Sequence, residues 1–321
     1  MKVLTTELPG TPPWEAAHEG KLGAHDIASI VGVGRQTALQ VWAKVTNHIP
    51  KEDLSGKSYI RRGIALEPVV AELYRKESRR IVRDSPGLIQ HPTLDWIATT
   101  PDRVVEFGSE NRAPLSGCVV QSGLLECKTA GFGHSKEWLA GIPLMVQVQL
   151  QMQLACCEMS MGSAACLPVD ADDDAPDVLW ADLPFDAVLV DRILDKLTDF
   201  RVKFWVTDIP PQATERDLGV IRKMFPAHAP GKVIPMTEQI ETAWRTRERL
   251  TDEIKEEATK RGFKIKGFED DPYKAEIVQA LGDAEYAQGE HLLLRLRAEP
   301  RGEYWVPASS PRVLRSVKGV K

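Results

Sequence analysis

The sequence predicts an α/β (α+β) chain, on three observations. Short runs rich in β-branched, aromatic and leucine residues, such as Trp96-Ile97-Ala98-Thr99-Thr100 and Leu124-Leu125-Glu126-Cys127-Lys128, read as strands. Segments with apolar residues at helical spacing lie around them, at 59–77, 143–156 and 185–205. Ile209-Pro210-Pro211 then marks a boundary, because proline continues neither a helix nor a ladder. These signals divide the chain into a loose N-terminal arm at 1–13, a main domain at 14–209 and a C-terminal region at 210–321.

Taken in order, the arm is rich in Pro, Thr and Gly, and a helical pattern starts at Trp14. Residues 25–32 read as a short helix ended by Gly32, and 37–44 as a second one with Leu39, Val41 and Trp42 apolar. A linker with Pro50, Asp53, Ser55 and Gly56 leads to a long helix whose stripe is Ile60, Ile64, Val70, Leu73 and Tyr74. Glu67 lies along that stripe rather than opposite it. A strand and turn at 80–92, a loop at 129–134 and a short helix around Trp138 follow. The segment from Met145 to Leu154 alternates like a strand, yet its length, its composition and Pro143 near its start favour a helix with Gln147 and Gln151 on one face. Strands at 161–169 and 177–183 flank an acidic turn. Beyond the boundary, a charged helix at 236–262 should pair with a shorter one at 272–281 as a hairpin, followed by a small antiparallel sheet from Tyr286, 291–297 and 303–306 and then a basic tail.

With 321 residues, 43% apolar and 27% charged, the chain can bury a proper core. It contains no apolar run of about eighteen residues and no basic-then-apolar leader, so we expect no membrane span and a cytoplasmic location. Cysteines at 118, 127, 156, 157 and 166 include no C-x-x-C pair, which argues against disulfide or zinc frameworks. The net charge of −5 argues against nonspecific coating of nucleic acid, but the charge is segregated. Lys57, Arg61, Arg62, Arg75, Lys76, Arg79, Arg80 and Arg83 crowd one stretch, whereas 170–191 carries eight aspartates and no basic residue. Such polarity fits one face meeting phosphates, and equally two solvated surfaces of opposite sign.

The stretch from 96 to 128 carries the chemistry. Pro101-Asp102 ends one strand, and on the next Glu126 and Lys128 share a face while Cys127 points into the core. Two carboxylates and a lysine converging at strand ends need a partner for their charge. A Mg²⁺ ion held by Asp102, Glu126 and the Cys127 backbone carbonyl would supply one, with Lys128 holding the attacking water. The same residues also fit a Glu–Lys pair at a sheet edge with Asp102 in a turn, and Glu67 fits either a further carboxylate ligand or an ion pair with Arg62 or Arg103.

With these residues placed, the chain resembles the phage alkaline exonucleases of the YqaJ and lambda-exonuclease type, within the PD-(D/E)XK nuclease superfamily. Gly63-Ile64-Ala65-Leu66-Glu67 looks like the family's G-x-x-x-E helix, Pro101-Asp102 its P-D, Glu126-Cys127-Lys128 its E-x-K, and Gln147-Val148-Gln149 the start of its glutamine helix. The resemblance covers about 14–205. It implies a restriction-endonuclease-like core, a mixed central sheet flanked by helices, with the helical hairpin and small sheet added after it. It further implies Mg²⁺-dependent (or Mn²⁺-dependent), two-ion, 5′ to 3′ digestion of linear double-stranded DNA, often by a trimeric ring, beside a single-strand annealing protein in the host cytoplasm. Carried over, Asp102 and Glu126 bind metal, Glu67 helps hold the second ion, Lys128 positions the water, and Gln147 supports the lysine or metal shell.

One departure stands out. Where the family has W-x-x-x-R and, seven residues on, a serine for the 5′-phosphate, this chain has Trp14 followed by His18 and then His25. Histidines hold phosphate as cations only when protonated, with Lys21, Arg35, Arg61 and Arg62 as further candidates for DNA contact. Two other functions are weighed, a PD-(D/E)XK endonuclease and a catalytically inactive DNA-end-binding module. The second should have lost one of Glu67, Asp102, Glu126 and Lys128, and all four are present.

Overall fold

The structure, a computed structural model, describes residues 1–50, 56–108, 121–131, 134–169, 176–260, 271–290, 292–298 and 312–316. In chain order its elements are β1 (Lys2–Thr5), α1 (Pro12–His18), α2 (Ala24–Ile30), α3 (Ala38–Val45), α4 (Ser58–Ser78), β2 (Ile81–Arg83), β3 (Leu88–Gln90), β4 (Ala98–Thr99), β5 (Arg103–Phe107), β6 (Gln121–Ala130), α5 (Ser135–Leu139), α6 (Leu144–Cys157), β7 (Met161–Pro168), β8 (Leu179–Pro184) and α7 (Ala187–Phe200). A π-helical turn (Arg201–Trp205) follows, and then α8 (Leu218–Met224), β9 (Ala229–Pro235), α9 (Glu238–Lys260), α10 (Pro272–Leu281), β10 (Ala284–Gln288), β11 (Leu293–Ala298) and β12 (Arg312–Ser316). Two compact units result, Met1–Gln36 with Lys51–Val206, and Thr37–Pro50 with Thr207–Lys321.

The first unit is built on a mixed sheet of order β2-β5-β6-β7-β8, in which only the β6–β7 pair is parallel. Strict alternation along β6 separates its two faces. Leu125 and Cys127 join Val70, Ala71, Tyr74, Val105, Phe107 and Ala165 in one buried cluster, so α4 covers that face. On the other face α6 packs closely enough that a Cβ on Gly162 would meet Leu150 Cδ1 at 2.9 Å. This is the α+β core with a mixed sheet flanked by helices that the resemblance implies.

Several expectations are corrected. The arm is not loose, because β1 pairs with β3 in an antiparallel sheet of order β1-β3-β4 (Val3 opposite Ile89), and Pro12 starts α1. The apolar stripe of α4 is buried only from Val70 onward. Ile64 is 67% exposed, because the helix enters the core cluster in its second half. Residues 37–50 belong with the second unit rather than the first. There α3 buries Leu39, Val41, Trp42 and Ala43, the Thr37 hydroxyl donates to Asp217, and Gln40 Nε2 donates to the Arg216 carbonyl at 2.9 Å.

In the second unit α9 and α10 pair as expected, burying Ile240, Ala243, Trp244, Ile277 and Val278. The sheet beside them is larger than the sequence suggests and is not purely antiparallel. Its order is β12-β11-β10-β9, with β9 parallel to β10. Residues 229–235 carry two prolines and a glycine, which hid β9, and 312–316 were read as tail. The acidic turn at 170–175, the strand expected at 303–306, Asp53, Ser55, Cys118, Phe132 and Gly133 lie outside the described residues.

Candidate active site

The β5–β6 ladder builds the site. Arg103 pairs with Leu125, so the same antiparallel register carried one residue past the end of β5 sets Asp102 opposite Glu126. Asp102 Oδ2 accepts the Cys127 N–H at 2.7 Å, which anchors a residue outside the strand to the strand's own backbone. Lys128 Nζ pairs with Glu126 Oε1, and Gln153 Nε2 of α6 donates to Glu126 Oε2 at 2.7 Å in a buried contact. The Glu126 side chain is 4% exposed and that of Lys128 21%, so the carboxylate is buried while the lysine side chain is partly open to solvent.

Burial decides the electrostatics. It pushes the Asp102 carboxyl well above its ordinary range, and the neighbouring Glu126 charge adds to that, with Lys128 opposing. Burial also works against ionised Glu126, but the Lys128 ammonium and the hydrogen bonds from Lys128 and Gln153 outweigh it and hold Glu126 below its ordinary value. Lys128 is likewise raised, since Glu126 and Asp102 overcome its desolvation. A buried carboxylate and a half-buried one therefore share one ammonium, a deficit of positive charge that suits a cation. The donors are carboxylate and carbonyl oxygens, the hard set that suits Mg²⁺ with retained waters. Asp102, Glu126 and the Cys127 carbonyl fit such an ion, although among the described residues no three His, Cys, Asp or Glu side chains converge closely enough to enclose a metal by themselves.

The remaining sequence candidates divide. Glu67 lies on α4 and pairs with Arg103 Nη1 at 2.6 Å, so a second ion there would have to displace the guanidinium. Gln147 is not brought to the site, because its amide donates to the Ile142 carbonyl at 2.6 Å. The four glutamines of α6 form two pairs one turn apart on opposite faces. Gln151, in the pair with Gln147, is tied to the Pro184 carbonyl and the Asp186 N–H. Gln149 and Gln153 face the site, and the side-chain carbonyl oxygen of each is buried without a partner. Spacing could have suggested the 149/153 pair, but both pairs lie among apolar residues and the sequence does not say which one faces inward.

At the other end of the site, Trp14 Nε1 donates to Thr100 Oγ1 at 3.2 Å, two residues before Asp102, and the Trp14 ring stacks on His18 at 4.6 Å. His18 Nε2 lies against Gly23 at the start of α2, and the His25 ring hydrogen-bonds Gln149 Nε2. His25 is an exposed residue, yet crowding of its ring by the surrounding protein and the charge of Lys128 lower its pKa to about 4. Lys21 Nζ is held by the Asp95 carbonyl at 3.0 Å and Arg61 by the Gly56 carbonyl at 2.7 Å, while Arg35 and Arg62 are exposed.

An aspartate ending one strand of a mixed sheet, facing Glu-x-Lys on the next, is the arrangement that the resemblance to PD-(D/E)XK nucleases implies. Residues 13–160 match the model of the YqaJ-like viral recombinase domain. A curated relative, the uncharacterized protein YqaJ of Bacillus subtilis (strain 168), is 24% identical over 195 residues, covering 60% of this chain and 54% of that protein. The chain thus spans about half the length of the curated relative it matches. Among solved structures, an alkaline exonuclease (LHK-Exo) from Laribacter hongkongensis is 22% identical, with a TM-score of 0.49 over 62% of this chain and 94% of that one. A phage-related exonuclease from Haemophilus somnus 129PT is 13% identical, with a TM-score of 0.40 over 59% and 95%.

Proposed function

We propose that the chain is a Mg²⁺-dependent deoxyribonuclease that digests linear double-stranded DNA from its ends, 5′ to 3′. The observation that carries this reading is the position of Asp102 opposite Glu126 with Lys128 on the same strand face as Glu126, one buried and one half-buried carboxylate beside one ammonium. When bound, the ion supplies a water that ionises near neutral pH and positive charge for the phosphate oxygens. Asp102, Glu126 and the Cys127 carbonyl would hold it. The Lys128 ammonium, paired with Glu126, would orient the attacking water and offset charge building on the phosphate. Arg61 and Arg62, exposed on the first turns of α4, serve as contacts to the DNA backbone. A homo-oligomer, DNA ends as substrate and a single-strand annealing protein as partner belong to this reading through the family rather than through any feature of the chain.

The test uses full-length protein on duplexes labelled at either the 5′ or the 3′ end and on covalently closed circles, with Mg²⁺ or EDTA. Early release of the 5′ label from linear DNA, Mg²⁺ dependence and spared circles are expected. Rapid linearisation of circles would identify an endonuclease, and early release of the 3′ label would reverse the direction.

A further inference from the structure

We propose that Gln153 is the positioning residue of the catalytic pair, fixing Glu126 so that one oxygen holds Lys128 while the carboxylate stays ready for the ion. This rests on the nuclease reading above and adds to it a residue that acts through another. A glutamate on a strand can rotate about its terminal torsion, and that rotation decides which oxygen faces the site. Here both oxygens are claimed from different directions, Oε1 by Lys128 Nζ and Oε2 by the Gln153 amide at 2.7 Å. A carboxylate tied at two points keeps one rotation, the arrangement by which an outer partner orients a metal ligand.

Two observations set Gln153 apart from a structural glutamine. It is 3% exposed on a helix that is apolar on both sides, a costly place for an amide with no task. Its own Oε1 is buried with no partner, so the side chain is not placed there to satisfy itself. Gln151, two residues earlier and equally buried, shows the contrast. Both ends of its amide are bonded, to the Pro184 carbonyl and the Asp186 N–H, and it ties α6 to the β8–α7 corner.

The experiment compares Gln153→Leu, Gln153→Glu and Gln151→Leu in the full chain. It reads Mg²⁺ binding by calorimetry, DNA-end affinity in EDTA, single-turnover nucleotide release and thermal midpoint. Loss of an outer partner weakens metal affinity or activity by about 10- to 100-fold. Gln153→Leu should therefore weaken Mg²⁺ binding and slow release by that order while DNA affinity stays within about twofold. Gln153→Glu, which sets a carboxylate against Glu126, should lose release altogether. Gln151→Leu should lower the midpoint yet keep wild-type Mg²⁺ binding and release at a temperature where it is folded. Unchanged Mg²⁺ binding and release in Gln153→Leu, or an equal loss in folded Gln151→Leu, overturns the proposal. If the wild-type chain neither binds Mg²⁺ nor releases nucleotides, the nuclease reading itself falls and Gln153 with it, whereas a working wild type beside a working Gln153→Leu removes the positioning role alone.

Discussion

Asp102 and Glu126 differ by one methylene, and their surroundings drive their ionisation in opposite directions. Glu126 is held charged by Lys128 and Gln153, whereas Asp102 is pushed towards neutrality by burial and by Glu126 itself. Asp102→Asn keeps the shape and the Cys127 contact while removing the charge a cation would meet. It should reduce nucleotide release by on the order of a hundredfold or more, with DNA-end affinity in EDTA unchanged. Gel-shift titration beside a release assay checks both halves, and wild-type release would remove Asp102 from the site. His25 makes a second prediction. Its pKa falls from 6.5 to about 4 on folding, so between those values the unfolded chain binds more protons and stability drops as pH falls through the window. Its solvent contact screens the effect. His25→Asn should flatten the acid limb of a midpoint–pH curve and leave the 5′-phosphate preference flat from pH 6 to 9. A preference that fades over that range would show a protonated imidazole at work. The P-D and E-x-K residues were legible in the sequence because their roles follow from strand alternation. The lowered pKa of His25 was not, since it depends on what surrounds the ring.

At the scale of elements, β6 is tightly constrained at Gly123. Gly123 sits where a Cβ would meet the Met161 carbonyl oxygen at 2.3 Å and Phe107 Cε2 at 2.4 Å, so the strand closes against its neighbours only with glycine there. Gly123→Ala should cost about 3 kcal/mol, the upper end for overpacking, and chemical denaturation would read it. An unchanged midpoint would mean the ladder yields at little cost. Helix α6 shows how far a sequence can be read. Proline near its start and residues of high helix propensity identify the helix, and apolar residues on every side identify it as buried. The inward pair of glutamines, 149 and 153, was decided by tertiary packing on β6 and α2. Strand β9 escaped for the opposite reason, since Pro230, Gly231 and Pro235 make a weak strand whose pairing comes from β10.

At the scale of the molecule, the chain leaves its first unit after Gln36 and returns at Lys51, placing α3 among elements that come 170 residues or more later. A sequence reading that cuts at the Pro210-Pro211 boundary finds the C-terminal limit and misses this inserted helix, because nothing local distinguishes α3 from its neighbours. Truncation after Val206 therefore removes α8 and Asp217 from α3 and exposes the side that buries Leu39 and Trp42. Such a fragment should be less soluble, and deleting 37–50 with a short linker should restore much of the solubility. Equal yields of both fragments would contradict this division. No described helix is long and apolar enough to cross a membrane.

The most direct test follows nucleotide release from linear duplex DNA when Mg²⁺ is added to chelator-stripped full-length protein, beside Lys128→Ala at the same end occupancy. The account predicts no release before the ion, release after it, and none from the variant despite intact DNA binding. Release that ignores Mg²⁺, or Lys128→Ala digesting at the wild-type rate, would contradict it.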